Sequence, residues 1–282
     1  MVSKKSFRYI IFVGVVFLLL WTLAPLYVVF ISSITPDKDL LNVPPKWIPT
    51  PDLSNYAYAL TSGEEGGTAW LFRKSLVNSF IVAAGVTVFC LFIGGLAGYA
   101  FSRFALPFKD KLLFLVLFTQ MLPVITVVIP LYLIFSTFRM LDRLITLVIV
   151  YSSFTLPLVI WLLKGFFDTI PADLEEAAMV DGSTLLGAFF RIVVPLSIPG
   201  VIATGGLAFL AAWNEFMIVL VFTSTAASKT MPVAIAEFIG RFRVDYGLMC
   251  SVGIIASLLP VALALVFQKY LVQGLSAGGV KG

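Results

Sequence analysis

Side chains able to do chemistry are sparse in this chain and fall in a few places. One acid, Glu215, stands next to Asn214 in the otherwise uncharged run 192–228. A carboxylate in such surroundings faces, by default, a bundle interior or a water-filled path. The alternative is a short helix with Glu215 at its outer end, since about 20 residues counted from Ser197 reach Phe216. Gln120 precedes Pro123 in a second apolar run, with Pro130 beyond it. Prolines there free backbone carbonyls, which fits a kinked packing helix and a path-lining helix equally. Gln120, Asn214 and Glu215 are therefore the residues read as a path. The chain has no His, so the commonest proton shuttle and metal ligand is missing. No nucleophile–His–acid set can be assembled. Cys90 and Cys250 sit in apolar runs and read as small buried hydrophobes. Gly274 to Gly279 has the glycine spacing of a phosphate loop, but Val280 and Lys281 follow where Lys and Ser/Thr are needed. The expectation is no catalytic residue, no metal and no cofactor held by this chain.

The densest polar pattern lies at 164–195. Its core runs from Pro171 through Asp173, Leu174, Glu175, Glu176, Ala177, Ala178 and Asp181 to Gly182. Pro171 suits a first helical turn, and Asp173 and Glu175 suit the positive end of a helix dipole. Leu174, Ala177, Ala178 and Asp181 recur at helical spacing, and Gly182 is a good terminator. Ser183 or Thr184 can cap a second helix at 185–194, after which Pro195 leads into another apolar run. A short charged helix, a glycine turn and a second helix make a piece shaped to dock on a partner surface.

The elements that hold this piece are membrane spans. The chain has 282 residues, 60% hydrophobic and 12% charged, with a mean hydropathy of +1.04. A soluble domain carries about 25% charge, so lipid is the solvent for much of the surface. Uncharged runs at 9–36, 75–102, 112–138, 144–163 and 246–268, with 192–228 broken only by Glu215, are each long enough to cross. They do not alternate apolar and polar, which excludes a membrane barrel. The first run is longer than a signal core and reads as a retained helix. Gly94 and Gly98 form a G-x-x-x-G pair that permits close helix approach. The segment 37–74, marked by Pro44, Pro45, Pro49 and Pro51, reads as an outer loop. An even number of spans puts both termini on one side. Ten Lys/Arg fall on that face and nine on the other, so charge bias barely orients the chain; the basic N-terminus favours cytoplasmic termini. The scattered charges give no case for nucleic acid.

Glu176-Ala177-Ala178, then Gly182, nine residues, then Ile192-Val193-Val194-Pro195 resembles the EAA signature of the binding-protein-dependent ABC importer permeases. Val194 stands where that pattern has Leu. Gly98–Arg103 with Phe104 and Pro107, Gln120–Pro123, Lys164–Pro171, Ala212–Phe216 and the tail Leu271–Gly282 are similar to the carbohydrate branch, of the MalG type. The resemblance implies an all-α membrane protein of six transmembrane helices, one permease domain over 1–282. It implies a cytoplasmic coupling loop at 166–196 between the fourth and fifth helices and a cytoplasmic tail at 271–282. Coupling to an ATPase would fall to Asp173, Glu175, Glu176, Ala177, Ala178, Asp181, Gly182, Ile192 and Pro195. The glycines of the tail let it run extended, so that Gly278, Gly279 and Lys281 would reach the ATPase. The implied partners are an ABC ATPase dimer that binds ATP and Mg, a MalF-type second permease, an extracytoplasmic solute-binding protein, a sugar and membrane lipid. A permease for another solute shares the loop but not this tail. An ion-driven transporter needs more intramembrane acids than Glu215, and a membrane enzyme needs convergent titratable groups.

Overall fold

The computed structural model describes residues 4–62, 64–238 and 245–279, all helix and connection with no strand among them. In chain order the main helices are α1 (Lys4–Ser33), α2 (Thr68–Arg103), α3 (Lys109–Phe118), α4 (Val124–Thr137), α5 (Leu144–Phe167), α6 (Asp173–Val180), α7 (Leu185–Leu196), α8 (Ile198–Trp213), α9 (Met217–Phe222), α10 (Met231–Glu237) and α11 (Tyr246–Gly279). Among the described residues α1, α2, α5 and α11 are long and apolar enough to cross a membrane singly. Two bent helix pairs meet the same requirement only together: the α3 stretch meets α4 at 90°, and α7 meets α8 at 80°. Counting each bent pair as one span gives up to six, the number read from the apolar runs.

The boundaries differ from the sequence reading in instructive ways. The second span starts at Thr68, not at residue 75, because Arg73 does not stop the helix. Its guanidinium donates to the carbonyls of Ala59 and Ser62 at 3.0 and 2.7 Å. A cation there meets the carbonyl end of the short helix Ser54–Thr61. The segment 37–74 is thus partly helical, at Asp37–Leu40, Ser54–Thr61 and the start of α2. The third span breaks at Pro123, after a 3₁₀ turn at Thr119–Met121, while Pro130 stays inside α4. The break before α8 falls at Ser197; Pro195 lies inside the preceding turn.

The chain packs as two units. One takes the chain to Arg73 with Ile235–Leu258; the other takes Lys74–Ala234 with the chain from Leu259. In the first, α1 exposes Tyr9, Phe12, Trp21 and Leu26 among many apolar side chains, as a lipid-facing helix must. Ser251 Oγ donates to the Ser33 carbonyl at 3.0 Å, and the Ser33 and Tyr56 hydroxyls lie 2.7 Å apart.

The second unit holds the core, built from α2, α5, α8, α9 and the π turn Phe189–Val193 of α7. The G-x-x-x-G pair works as a packing surface. A Cβ on Gly94 would meet Val159 at 2.7 Å, and one on Gly98 would meet the Lys164 nitrogen at 3.0 Å and the Ile160 oxygen at 3.1 Å. Backbone therefore touches backbone between α2 and α5. At the other end of this unit, Asp142 pins the stretch after α9. It accepts the N–H groups of Ser224 and Thr225 at 3.1 and 3.2 Å, the Thr225 hydroxyl at 2.6 Å and the Ser228 hydroxyl. Asn78 Nδ2 donates to the carbonyls of Ala226, Ala227 and Lys229, and Ser79 Oγ accepts Met231 N–H at 2.7 Å.

Candidate functional site: a clamped loop and a cleft at two helix breaks

The loop between α5 and α8 is local geometry first. Helix α6 begins two residues after Pro171, with Asp173, Glu175 and Glu176 in its first turn. It ends in two back-bonds: Gly182 N–H to Met179 O at 3.1 Å and Ser183 N–H to Ala178 O at 2.9 Å. That pair is the Schellman closure, and it places Gly182 at φ +91°. Of the two capping residues read from sequence, Thr184 takes the role, its hydroxyl accepting Gly187 N–H at 3.1 Å.

Glu175 departs from its expected place. The sequence puts it on the docking surface with Glu176; the structure buries it at 3% exposure. Its Oε1 accepts Arg103 Nε at 2.5 Å and its Oε2 accepts the Tyr99 hydroxyl. Helical phase explains the difference: Glu175 lies on the inner face of α6, one residue and about 100° from Glu176. Arg103 also donates to the Ile170 carbonyl at 2.9 Å and to Ser102 Oγ at 3.1 Å. Ser102 donates on to Asp168 at 2.7 Å, which pairs with Lys164 at 2.6 Å. Tyr99 packs on Phe189 with ring centroids 4.6 Å apart, and Phe167 and Phe189 lie 5.8 Å apart. The loop is thereby bolted to the last turns of α2 and α5. Arg103 and Tyr99 carry this bolt, yet neither was singled out as a site residue. A spacing of 72 residues between Arg103 and Glu175 leaves no local pattern that pairs them; the signals are a lone arginine ending an apolar helix and the family-like stretch Gly98–Arg103 that holds it.

The outward face of the loop is open. Asp173, Glu176, Ala177, Asp181 and Gly182 are exposed and Ala178 half-buried. Val180 is 87% exposed, with Leu174, Met179 and Leu186 also on the surface. Ile192 is half-buried and Pro195 exposed. Small and apolar side chains edged with acids suit a partner's groove.

The second place is a cleft of about 180 Å³ lined by Gln120, Val124, Tyr151, Phe154, Thr155, Leu158, Ala211, Ala212, Glu215 and Ile218. Gln120 comes from the 3₁₀ turn before the Pro123 break, and its Nε2 donates to the Phe154 carbonyl at 2.5 Å. Glu215 comes from the break between α8 and α9, and its Oε1 accepts Ile218 N–H at 2.9 Å. Helix α8 ends at Trp213, so Glu215 follows the end of a short helix and also lines the cleft. Asn214 is not on the wall. Its amide turns back to the Leu210 carbonyl at 2.9 Å. Of the tail, α11 stays helical through Gly278 and Gly279, where the sequence reading lets it run extended; no proline after Pro260 interrupts that helix. Lys281 lies outside the described residues.

Comparison with known proteins agrees with this architecture. Residues 90–277 match the family described as binding-protein-dependent transport system inner membrane component. The chain is 37% identical over 282 residues to a sulfoquinovosyl glycerol transport system permease protein of Agrobacterium fabrum, covering 99% of this chain and 95% of that one. It is 34% identical to a trehalose/maltose transport system permease protein of Thermococcus litoralis, covering 98% and 97%. A chain from a bacterial ABC transporter involved in the import of alginate shares the fold, with a TM-score of 0.77 at 22% identity over 96% of this chain and 99% of that one. The chain therefore belongs to the family of binding-protein-dependent transport system inner membrane components, the membrane-spanning permease subunits of ABC importers.

Proposed function

We propose that this permease imports a di- or oligosaccharide, of the maltose or maltodextrin kind, across the cytoplasmic membrane by alternating access. As a permease of its family it works with ATPase subunits, a solute-binding protein and a second permease. In this reading the second permease is of the MalF type, both termini are cytoplasmic, and α6–α7 sits on the cytoplasmic side against an ABC ATPase dimer. ATP and Mg are bound by that dimer, not by this chain. Closure of the dimer pushes α6; the Arg103–Glu175–Tyr99 bolt passes the displacement to α2 and α5 as a rigid-body motion.

One observation carries the reading. The acid nearest the EAA core on the inner face, Glu175, is spent entirely inside the chain, while Glu176, Ala177 and Val180 are left open. A helix fixed from behind and uncovered in front is what a push-rod requires. The sugar class rests on relatives whose names specify glycosides. The test is co-expression with the neighbouring ATPase and permease subunits, purification, and ATP hydrolysis with binding protein and sugar. Glu176→Arg places a reversed charge on the open face. It is expected to abolish sugar-stimulated hydrolysis or release the ATPase while the chain still folds. Wild-type stimulation by sugar that persists in the variant would sink the docking assignment.

A further inference from the structure

We infer that the cleft at the two helix breaks is a binding site for sugar hydroxyls in transit, contributed by this chain itself through Tyr151, Thr155, Gln120 and Glu215. The inference rests on the sugar reading above and adds to it the place where the chain holds its cargo.

Two observations converge. The breaks at Leu122–Pro123, within the α3–α4 pair, and at Asn214–Phe216, between α8 and α9, open onto the same cleft. Non-helical backbone at membrane depth is tolerated where it is buried in protein or lines a water-filled cavity, and discontinuous helices are where membrane transporters place polar solutes. Second, the polar groups on the wall have unused capacity. Tyr151 is 3% exposed and its hydroxyl has no partner among the described residues. Such orphans are rare in folded proteins and call for an explanation. Several other buried hydroxyls share that state, but Tyr151 is the one of them on this wall.

The remaining groups set the ligand's chemistry. Glu215 uses Oε1 on Ile218 N–H, and Gln120 uses its amide nitrogen on Phe154 O. What is left over is a carboxylate oxygen, the amide oxygen and second amide N–H of Gln120, and the hydroxyls of Tyr151 and Thr155. That set both accepts and donates and carries no cation, which suits the hydroxyls of a neutral polyhydroxylated solute. The volume of about 180 Å³ is several times the share of one liquid water, roughly 30 Å³.

The experiment uses the whole complex reconstituted in liposomes with its binding protein, and trehalose and maltose as probes. Sugar moved, ATP hydrolysed and melting temperature are recorded for wild type, Tyr151→Phe and Thr155→Val. Tyr151→Phe removes one oxygen and no other atom heavier than hydrogen. A hydroxyl kept for cargo predicts a melting temperature equal to or above wild type, with the ratio of sugar moved to ATP hydrolysed lower by about tenfold, the equivalent of one lost hydrogen bond. Thr155→Val lowers the ratio in the same direction. A lower melting temperature for Tyr151→Phe means the hydroxyl is bonded within the fold, and the inference fails whatever the transport result. An unchanged ratio in both variants, with sugar moved by wild type, removes the cleft and leaves the sugar reading intact. Wild type that moves neither probe removes that reading and this ligand class together.

Discussion

The loop at α6–α7 and the cleft at the two breaks treat their polar groups in opposite ways. In the loop, the one buried acid is matched on both oxygens, and its partner Arg103 makes further bonds to Ile170 and Ser102. In the cleft, Tyr151 has no bond, and Glu215 and Gln120 each use only part of their capacity. Full satisfaction makes a rigid piece, since each bond fixes another. Partial satisfaction is costly in an apolar setting and persists where something else arrives to complete it. The proposed roles follow this contrast: a rigid piece for transmitting displacement, and a cleft with spare polar capacity for receiving a ligand.

The largest effect expected from this contrast is on the loop. Arg103→Ala leaves Glu175 buried without its cation, and breaking one side of such a pair costs about 3–5 kcal/mol. Unfolding in mixed micelles should show a loss of that order, with the purified chain also failing to hold the ATPase. The matched change in the cleft, Glu215→Gln, keeps an acceptor for Ile218 N–H and should cost under about 1 kcal/mol. Equal losses in the two variants would erase the distinction between a satisfied and an unsatisfied region.

Asp142 sharpens the contrast with a second fully used acid, outside the spans. Burial opposes its ionisation, but the hydroxyls of Ser228 and Thr225 and the N–H groups of Ser224 and Thr225 outweigh it and hold its carboxyl below the usual value. The folded chain therefore binds this proton less tightly than the unfolded chain does. The stabilisation is complete above the unfolded value of about 3.9 and is lost as pH falls through the lower folded value. Asp142→Asn should cost about 1–2 kcal/mol at neutral pH and flatten the acid limb of melting temperature against pH below about 4. An acid limb of the same depth in wild type and variant would detach Asp142 from this role.

Legibility in the sequence follows the range of the physics. The spans are a composition effect summed over about 20 residues each, legible as five uncharged runs and a sixth broken only by Glu215. The Schellman closure at Gly182 and the cap at Thr184 depend on neighbours within five residues and were readable too. The bolt joins Glu175 to Arg103, and no periodicity reports on partners that distant. Tyr151 was invisible for a related reason: an aromatic in an apolar helix is ordinary, and only the third dimension shows its hydroxyl unmatched. Pro123 and Pro130 fit a packing kink and a path equally in sequence, and the helix breaks at the first of them alone. Pro123 stands at a helix start, where a missing N–H costs little, while α4 absorbs Pro130 within the helix.

The close approach of α2 and α5 gives a test that avoids charge altogether. Gly98→Val would push a side chain onto the Lys164 nitrogen and the Ile160 oxygen, both backbone atoms that cannot swing aside. Overpacking of this kind costs about 1–3 kcal/mol. It should also pry the end of α2 from α5, and so loosen the bolt that both helices support. Deuterium uptake at α6 should rise in Gly98→Val; uptake unchanged there would mean that the loop is held by Arg103 alone.

A substitution at Gly182 separates the shape of the loop from its anchorage. At φ +91° a Cβ strains the backbone although, among the described residues, no non-neighbouring atom lies within 4 Å of it. An L-residue in the left-handed region costs roughly 1–2 kcal/mol, so Gly182→Ala should destabilise by about that much. Among the described residues no atom lies close enough for steric conflict to contribute. The strain can be relieved only by turning α6 relative to α7, the two pieces that together present the open face. ATPase coupling should therefore fall along with that loss of stability. A variant that loses stability yet couples normally would show that the bolt at Glu175, and not the turn at Gly182, sets the pose of α6.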